Sequence, residues 1–296
     1  MKHAFLVMAH NNYPLVARLL KKLDHKDNTI YIHIDAKSPL TKDDEKLFAD
    51  SCNFSKVILT DRYSVNWGGY SQINNQLRLL ERAIKDNHDY YHYLSGVDFP
   101  TKSMAQIHEF FESNKGKEFF AFTTDEFNEK QASRYKIYHF LQEKRTRKTN
   151  VYTLIEKGLL LLQKIFRVDR RKKYKHIEFK CGSNWVSITH NFGEYLLSRE
   201  KEIKKMFSHS FCCDEVFMHT ILWNSPFREN IFEPKENISG NLRTIDWLRG
   251  DILLGSPYTF NIDDYDSLVA SGELFCRKVT DSTPEGNALI EKLEEL

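Results

Sequence analysis

Residues 4–34, AFLVMAHNNYPLVARLLKKLDHKDNTIYIHI, decide the fold because they combine a strand, a helix and a second strand. The continuous apolar run at residues 4–9 predicts a buried strand. Residues 13–23 place leucine and valine at helical spacing, and residues 29–34 are again typical of a buried strand. A strand–helix–strand unit of this length implies a parallel sheet with a right-handed crossover.

The rest of the chain continues the same alternation. The spacing predicts strands at 57–60, 90–94, 182–189 and 243–247, and helices at 72–84, 155–166, 192–197 and 265–273, with one more helix opening at 214–215. We find no internal repeat and no linker composition. The sequence therefore predicts an α/β fold in a single domain, 1–296, with a basic helical excursion at about 125–178.

The composition excludes several classes of protein. With 41% hydrophobic residues, including 21 Phe and 14 Tyr, the 296-residue chain can build a sizeable core, which excludes disorder as its main state. Five cysteines without a C-x-x-C pair indicate neither a disulfide framework nor a zinc motif, and we expect reduced thiols in a cytoplasmic setting. No apolar run approaches about 18 residues, so no transmembrane helix is expected.

The net charge of +2 conceals a strongly basic segment. Residues 130–175 hold 15 Lys and Arg but only three acids, Glu143, Glu156 and Asp169. Such a cluster can meet anionic lipid, nucleic acid or a phosphate-bearing substrate, or it can be a solvated helix face. The helix predicted at 155–166 is apolar with cations alongside, as in helices that lie on a membrane surface, although a core helix explains its leucines equally well.

Polar side chains follow three of the predicted strands. His10 ends the first strand, Asp35 and Lys37 follow the second, and Ser95 and Asp98 follow a later one. Ligands of such sheets bind beyond the carboxyl ends of the strands, so these residues are expected to line a site. The alternative is that Asp35 and Asp98 only cap or turn the chain.

The familiar metal and nucleotide motifs are missing. The sequence has no G-x-G-x-x-G, Walker A, H-E-x-x-H or G-x-S-x-G motif, and its twelve histidines are scattered, which argues against zinc. The pair Asp264 and Asp266 matches the D-x-D pattern that holds a divalent cation in many nucleotide-sugar transferases. Because Asn261 precedes a predicted helix there, capping of that helix is the better explanation.

Two short charged segments are candidates for chemistry. Asp214 and Glu215 stand at a predicted loop-to-helix junction among apolar residues, where a carboxylate becomes a better general base, although they can equally be capping acids. Arg277 and Lys278 lie on an otherwise apolar segment, 274–279, and form a plausible clamp for an anion.

Eight short blocks, in order along the chain, carry a family resemblance. They are 5–10 (FLVMAH), 30–38 (IYIHIDAKS), 65–71 (VNWGGYS), 93–102 (YLSGVDFPTK), 182–187 (GSNWVS), 214–215 (DE), 245–247 (IDW) and 274–278 (LFCRK). Together they resemble the core-2/I-branching β-1,6-N-acetylglucosaminyltransferases, glycosyltransferase family 14, in their short bacterial form. Only the basic excursion lies outside the matching blocks.

The resemblance implies a GT-A-type nucleotide-sugar-binding fold, with a central mixed, mostly parallel sheet flanked by helices. It also implies an inverting, metal-independent transfer of a sugar, GlcNAc in the named family, from a UDP-sugar to a hydroxyl of a glycan or lipid-linked oligosaccharide. By the same resemblance Glu215 is the general base. The residues that it assigns to the donor are Met8, His10 and Asp35 on the uridine, Trp67 and Ser71 near that pocket, and Lys278 on the diphosphate.

The resemblance leaves one position open. The family has a second diphosphate cation, an arginine, but counting back from Lys278 without a gap leads to Gly255. The missing charge can come from Arg249, Arg243 or Arg277, or a metal can bind at Asp264 and Asp266; Arg249 is preferred. On the acceptor side the resemblance implies that Trp247 packs on the sugar, and Asp98 is assigned there with it.

The family's secretory members carry disulfides and a membrane anchor, and this chain has neither, so the expected setting is the bacterial cytoplasm. A peripheral contact of the basic segment with the anionic inner leaflet fits that setting. Two other functions stay open. One is nucleic-acid binding by residues 130–175, which lack aromatic residues at RNP spacing and any helix-turn-helix or zinc signature, so nucleic acid is not the expected partner. The other is an inactive sugar-binding module of the same fold.

Overall fold

The computed structural model describes residues 1–144, 150–235, 238–251 and 255–296. Within these ranges the strands are β1 His3–Ala9, β2 Asn28–Ile34, β3 Lys56–Leu59, β4 Tyr90–Ser95, β5 Asp98–Pro100, β6 Ser187–Thr189, β7 Arg243–Ile245 and β8 Phe275–Arg277. The α-helices are α1 Tyr13–Lys22, α2 Lys42–Ala49, α3 Tyr70–Ile84, α4 Met104–Ser113, α5 Asp125–Gln131, α6 Ser133–Lys136, α7 Val151–Ile165, α8 His190–Ser198, α9 Glu200–Phe207, α10 Phe217–Trp223, α11 Tyr265–Ala270 and α12 Pro284–Glu294.

The central sheet has five strands in the order β3-β2-β1-β4-β6. The strands β1 to β4 run parallel, and β6 pairs antiparallel with β4. The α/β class and the mixed, mostly parallel sheet are therefore confirmed. The opening strand–helix–strand unit is confirmed as well, with β1, α1 and β2 within two residues of the predicted bounds.

Alternate residues of β1 build a core on each face of this sheet. Phe5 and Val7 belong to an apolar cluster shared with α1, whereas Ala4 and Leu6 belong to a second cluster shared with α3. Side chains of a strand point alternately to its two faces, so a strand that is apolar throughout needs cover on both. All four of these side chains are fully buried.

A smaller sheet, in the order β5-β8-β7, lies beside the strand edge where the candidate residues gather. In it β5 pairs antiparallel with β8 and places Asp98 opposite Arg277. The strand predicted at 182–189 begins only at Ser187. Before it, the backbone of Gly182 forms an isolated bridge with Phe122 and donates to the carbonyl of Glu215.

The basic excursion is helical, as predicted, and contains α5, α6 and α7. Its cations Arg145, Arg147 and Lys148 lie outside the described residues. Arg170 is buried and donates to the carbonyls of Met206 in α9 and of His209 just after it, which connects the excursion to this part of the chain. Among the described residues, no helix is both long and apolar enough to span a membrane.

A buried carboxylic acid gives the fold a pH dependence that can be tested. Glu118 is fully buried, accepts a hydrogen bond from the amide of Thr189 at 3.0 Å, and burial raises its pKa to about 8. The folded state therefore disfavours the ionised form of Glu118. The contribution of Glu118 to the free energy of unfolding is complete below the pKa that this carboxyl has in the unfolded chain, and it is lost as the pH rises toward about 8. In Glu118→Gln, the free energy of unfolding relative to wild type is expected to rise by about 3 kcal/mol between about pH 5 and about pH 8.

Urea denaturation at the two pH values measures this difference. Glu109→Gln, at an exposed position of α4, is the matched control and is expected to show no such change. A difference between Glu118→Gln and wild type that stays constant over the same range would contradict the prediction.

Candidate active site

The carboxyl ends of β1, β2 and β4 meet at one edge of the central sheet. The carbonyl of Met8 accepts from the amide of Gly96 at 3.0 Å, and the carbonyl of Ala9 accepts from the amide of Asp35 at 3.1 Å. The polar residues that the sequence placed after these strands are thereby brought together. The side chain of His10 is exposed at this edge.

Lys37 connects the end of β2 to the 65–71 block. Its amide donates to one oxygen of Asp35 at 2.9 Å, and its ammonium lies 3.6 Å from the other oxygen. The same ammonium donates to the side chain of Asn66 at 2.9 Å and to the carbonyl of Val65. Asp35 is consequently held at the strand end by a cation that also fixes the neighbouring loop.

The 65–71 block is shaped by a glycine with positive φ. Gly68 has φ +76°, and a Cβ there would lie 2.4 Å from the ring of Phe211. Trp67 meets the same ring edge-on at 5.4 Å and keeps 44% of its surface exposed. The ring of Trp67 is therefore oriented by Phe211 and still accessible.

Ser71 opens α3 and is already engaged by a carboxylate. Both its amide and its hydroxyl donate to Glu143 at 2.8 Å, and Asn66 donates to the same side chain at 3.0 Å. Glu143 belongs to the basic excursion, and nothing in its local sequence indicated this contact. The assignment of Ser71 to the donor pocket stays a prediction.

Asp214 and Glu215 have different environments although they are adjacent. Asp214 is buried and accepts from the side-chain amides of Gln72 at 3.1 Å and Asn184 at 3.0 Å. Burial, assisted by the neighbouring charge of Glu215, raises the pKa of Asp214. The structure therefore gives Asp214 the role of a fixed, internally bonded group.

Glu215 keeps 40% of its side chain exposed and is paired with Arg134 of α6. The guanidinium of Arg134 also donates to the carbonyl of Cys212 at 3.3 Å. Burial acts to lower the pKa of Arg134, but the adjacent Glu215 outweighs it and leaves that pKa raised. Sequence reasoning missed Arg134, because a contact between the excursion and the 214–215 block has no local signature.

Gly182 sets the backbone at Glu215. Its amide donates to the carbonyl of Glu215 at 2.9 Å, and a Cβ on it would lie 1.9 Å from the carbonyl oxygen of Ala121. Only glycine fits at this close approach. The block 182–187 thus positions the 214–215 block through main-chain contact.

Arg277 is anchored from two sides at the end of β8. Its guanidinium pairs with Asp98 at 2.8 Å, donates to Ser95, and lies 4.5 Å above the ring of Trp185. The side chain of Asp98 is fully buried, and its oxygens accept from the amide and hydroxyl of Ser95 as well. This carboxylate is engaged within the chain, and its contact with an acceptor stays a prediction.

Lys278 follows directly and donates to the hydroxyl of Ser256 at 2.6 Å. The amide of Lys278 donates to the carbonyl of Tyr258, in the same loop as Ser256, at 3.4 Å. Arg277, which precedes Lys278, stacks on Trp185. Asn184, which precedes Trp185, donates to Asp214 at 3.0 Å.

Of the three arginines considered for the diphosphate, Arg277 is engaged by Asp98 and Ser95, as described above. The other two differ in how accessible they are to a ligand. Arg243 is buried and donates to the carbonyl of Val186 at 3.2 Å, and burial lowers its pKa to about 9, so it cannot reach a ligand. Arg249 is half-exposed and lies 4.0 Å from the centre of the Tyr258 ring. Two carboxylates, Asp246 at 2.6 Å and Asp264 at 2.8 Å, pair with Arg249 and raise its pKa.

One residue of the D-x-D pair, Asp264, takes part in capping. Asp264 accepts from the amide of Asn261 at 3.0 Å in a capping box before α11, which confirms the capping interpretation. Asp266 is exposed. Trp247, assigned to the acceptor, keeps 54% of its surface exposed in the same region of the chain. In the described part of the chain, no three metal-ligating side chains come together.

A sequence model of the Core-2/I-Branching enzyme family matches residues 3–266, nearly the whole chain. The chain belongs to the Core-2/I-Branching enzyme family. The match extends through the basic excursion and includes every block named above except 274–278.

Curated relatives of this Core-2/I-Branching chain include two animal xylosyltransferases. Xylosyltransferase sqv-6 of Caenorhabditis elegans is 25% identical over 245 residues, 79% of this chain and 27% of its own length. Human xylosyltransferase 1 is 25% identical over 260 residues, 83% of this chain and 24% of its own length. This chain therefore spans about a quarter of these relatives. Because they are eukaryotic, the bacterial origin stays a prediction.

Among solved structures, mouse xyloside xylosyltransferase 1 in its apo form aligns with a TM-score of 0.42 at 12% sequence identity. The alignment covers 95% of this chain and 99% of that one.

Proposed function

We propose that this Core-2/I-Branching chain is an inverting glycosyltransferase that moves a sugar from UDP to a hydroxyl of a glycan or lipid-linked oligosaccharide without a metal. The observation that carries the proposal is the environment of Glu215. Its carboxylate is accessible and paired with Arg134, and its main-chain carbonyl accepts from the amide of Gly182, at the edge where parallel strands bind ligands. Asp214 beside it is buried and cannot share the role.

In the proposed reaction Glu215 takes the proton of the acceptor hydroxyl. The acceptor oxygen forms its bond to the anomeric carbon as the bond between that carbon and the diphosphate oxygen breaks. Attack from the face opposite UDP inverts the configuration, and the released proton stays on Glu215 until solvent removes it. One positioned base is sufficient for a single displacement.

Fixed cations then stabilise the departing diphosphate. We assign this role to Lys278, with Arg249 as its partner. Asp246 and Asp264 already pair with Arg249 and offset part of its charge. Asp98 lies buried beneath Arg277, and for it we propose a positioning role in place of direct contact with the acceptor.

The remaining assignments rest on the family resemblance. Met8, His10 and Asp35 are proposed to hold the uridine, with Trp67 at the border of its pocket. The accessible ring of Trp247 is suited to pack on the acceptor sugar, as a flat apolar surface does on sugar C–H groups.

GlcNAc is the first candidate sugar, and xylose is the second because the relatives named above are xylosyltransferases. UDP release from UDP-GlcNAc, UDP-xylose and other UDP-sugars, with and without EDTA, tests the proposal. Turnover of one donor that survives EDTA supports it. Loss of all turnover in EDTA contradicts the metal-free mechanism, and binding of UDP without any turnover favours the inactive sugar-binding module.

The basic segment gives little support to nucleic-acid binding as an alternative. Three of its cations are committed within the chain: Arg134 to Glu215, Arg170 to main-chain carbonyls, and Arg171 to Glu129 and Asp169. That nucleic acid is not a partner stays a prediction. A salt titration with RNA tests it, because phosphate-driven binding weakens steeply as salt rises.

Replacing Arg134 with methionine is expected to lower kcat by about tenfold, because the guanidinium that pairs with the carboxylate of Glu215 orients it toward the acceptor hydroxyl. Arg134→Lys is expected to recover most of the rate, since the ammonium keeps the charge. Steady-state UDP release at saturating donor measures both variants.

Arg171→Met is the matched control, since Arg171 pairs with Glu129 and Asp169 within the same excursion. Its kcat is expected to stay near wild type. Equal losses in Arg134→Met and Arg134→Lys would show that the contact with Glu215 does not depend on charge and would overturn the positioning role.

A further inference from the structure

The helix α7 presents its apolar side chains to solvent. Six aliphatic residues of this helix are each 50 to 64% exposed: Val151, Leu154, Ile155, Leu161, Leu162 and Ile165. Their spacing of three, four and seven residues places them along one side of the helix, a set called here the outer stripe. Phe166, just beyond the helix, is 76% exposed and extends it.

The opposite side of α7 is polar and buried, the reverse of an ordinary surface helix. Glu156 is 1% exposed and accepts from the amide of Leu141 at 3.2 Å. Gln163 donates to the carbonyl of Tyr138 at 2.8 Å and accepts from its amide at 2.7 Å. These bonds fix the rotation of the helix, because turning the outer stripe inward would break them and leave main-chain groups unpaired.

Cations border the outer stripe. Lys157 and Lys164 lie along one flank of the helix, and Arg167 and Lys172 lie beyond its C-terminal end. Within the described ranges, none of these four pairs with a carboxylate, whereas the nearby Asp169 is bound by Arg171. Lys164, Arg167 and Lys172 also line a groove of about 710 Å³ together with leucines of α7.

We propose that α7 binds the surface of an anionic membrane, with the outer stripe among the lipid chains near the headgroups and the flanking cations on lipid phosphates. An apolar stripe bordered by lysine and arginine matches the layered chemistry of that interface. Nucleic acid would use the cations but leave the stripe exposed, and a second copy would bring like charges together. The contact involves no residue of the proposed transfer, so either proposal can fail alone.

Vesicle flotation with the full chain tests the surface. The protein is expected to float with vesicles of phosphatidylcholine containing about 30 mol% phosphatidylglycerol and to stay behind with phosphatidylcholine alone. The variant with Leu161→Ser and Ile165→Ser is expected to lose about tenfold or more in binding, because it removes apolar contact area. Lys157→Gln with Lys164→Gln is expected to weaken binding to the anionic vesicles and reduce its sensitivity to salt.

Phe54→Ser is the matched control, since Phe54 is 73% exposed in the loop before β3. It is expected to bind vesicles as wild type does, and all variants are expected to melt at the wild-type temperature because the changed side chains are exposed. No flotation with anionic vesicles at low salt would overturn the proposal. Equal flotation of wild type and the Leu161→Ser, Ile165→Ser variant would also overturn it. So would a dimer in solution that the same two substitutions convert to monomer.

Discussion

Glu215→Gln is expected to lower kcat for sugar transfer on the order of 10³-fold, within the range that a positioned general base contributes. Glutamine keeps the shape and one hydrogen-bond acceptor for Arg134, but it cannot take a proton from the acceptor hydroxyl. The KM for the UDP-sugar is expected to change little, because the base meets the acceptor and not the uridine. The rate of UDP release at saturating donor measures the transfer step, and the melting temperature of the variant shows whether it is still folded.

Glu194→Gln, at an exposed position of α8, is the matched control and is expected to keep the wild-type rate. A Glu215→Gln protein that transfers sugar at full rate would remove Glu215 from the mechanism. The family membership would stand in that case, since it rests on the match over residues 3–266.

Lys278→Met is expected to lower kcat/KM for the donor by about 10²-fold, as loss of one preorganised charge at a leaving group does. Methionine retains much of the aliphatic length but neither the charge nor the bond to Ser256. Lys278→Arg is expected to lose less, because the guanidinium still stabilises a diphosphate. Rates measured over a range of UDP-sugar concentrations give kcat/KM for each variant.

Lys292→Met changes an exposed lysine of α12 and is the matched control, with no expected effect on transfer. If manganese or magnesium fully restored the kcat/KM of Lys278→Met, a divalent cation would be able to supply the positive charge assigned to Lys278. Unchanged kcat/KM in Lys278→Met would contradict its place at the diphosphate.

Part of the first half of the fold was predictable from local patterns, although α2, β5 and α4 were not predicted. The strand β1 is a continuous apolar run, β2 and β4 are rich in isoleucine, tyrosine and leucine, and α1 and α3 repeat leucine and isoleucine at helical spacing. Each was therefore located within two residues of its bounds. Their polar ends could be placed at one edge because carboxyl ends of parallel strands coincide. The second half was predicted less well, since β6, β7 and β8 have three residues each and depend on long-range pairing.

The partners of the candidate residues were not predictable. Arg134 on Glu215 and Glu143 on Ser71 join segments about 70 to 80 residues apart, and neither residue stands in a recognisable motif. The leucines of α7 fitted a core helix and a membrane-surface helix equally well in the sequence. The structure turns them outward, because Glu156 and Gln163 on the opposite side satisfy buried main-chain groups.

Arg134 also limits how the protein can be shortened or grafted. The described residues of the segment 125–178, which exclude 145–149, contribute no strand to either sheet, so a designer seeking a minimal enzyme would remove this segment first. Such a deletion would keep the parallel strands but would remove Arg134, the partner of Glu215, and Glu143, the partner of Ser71. A chimera that borrows this segment from another enzyme should therefore retain an arginine and a glutamate at these two places.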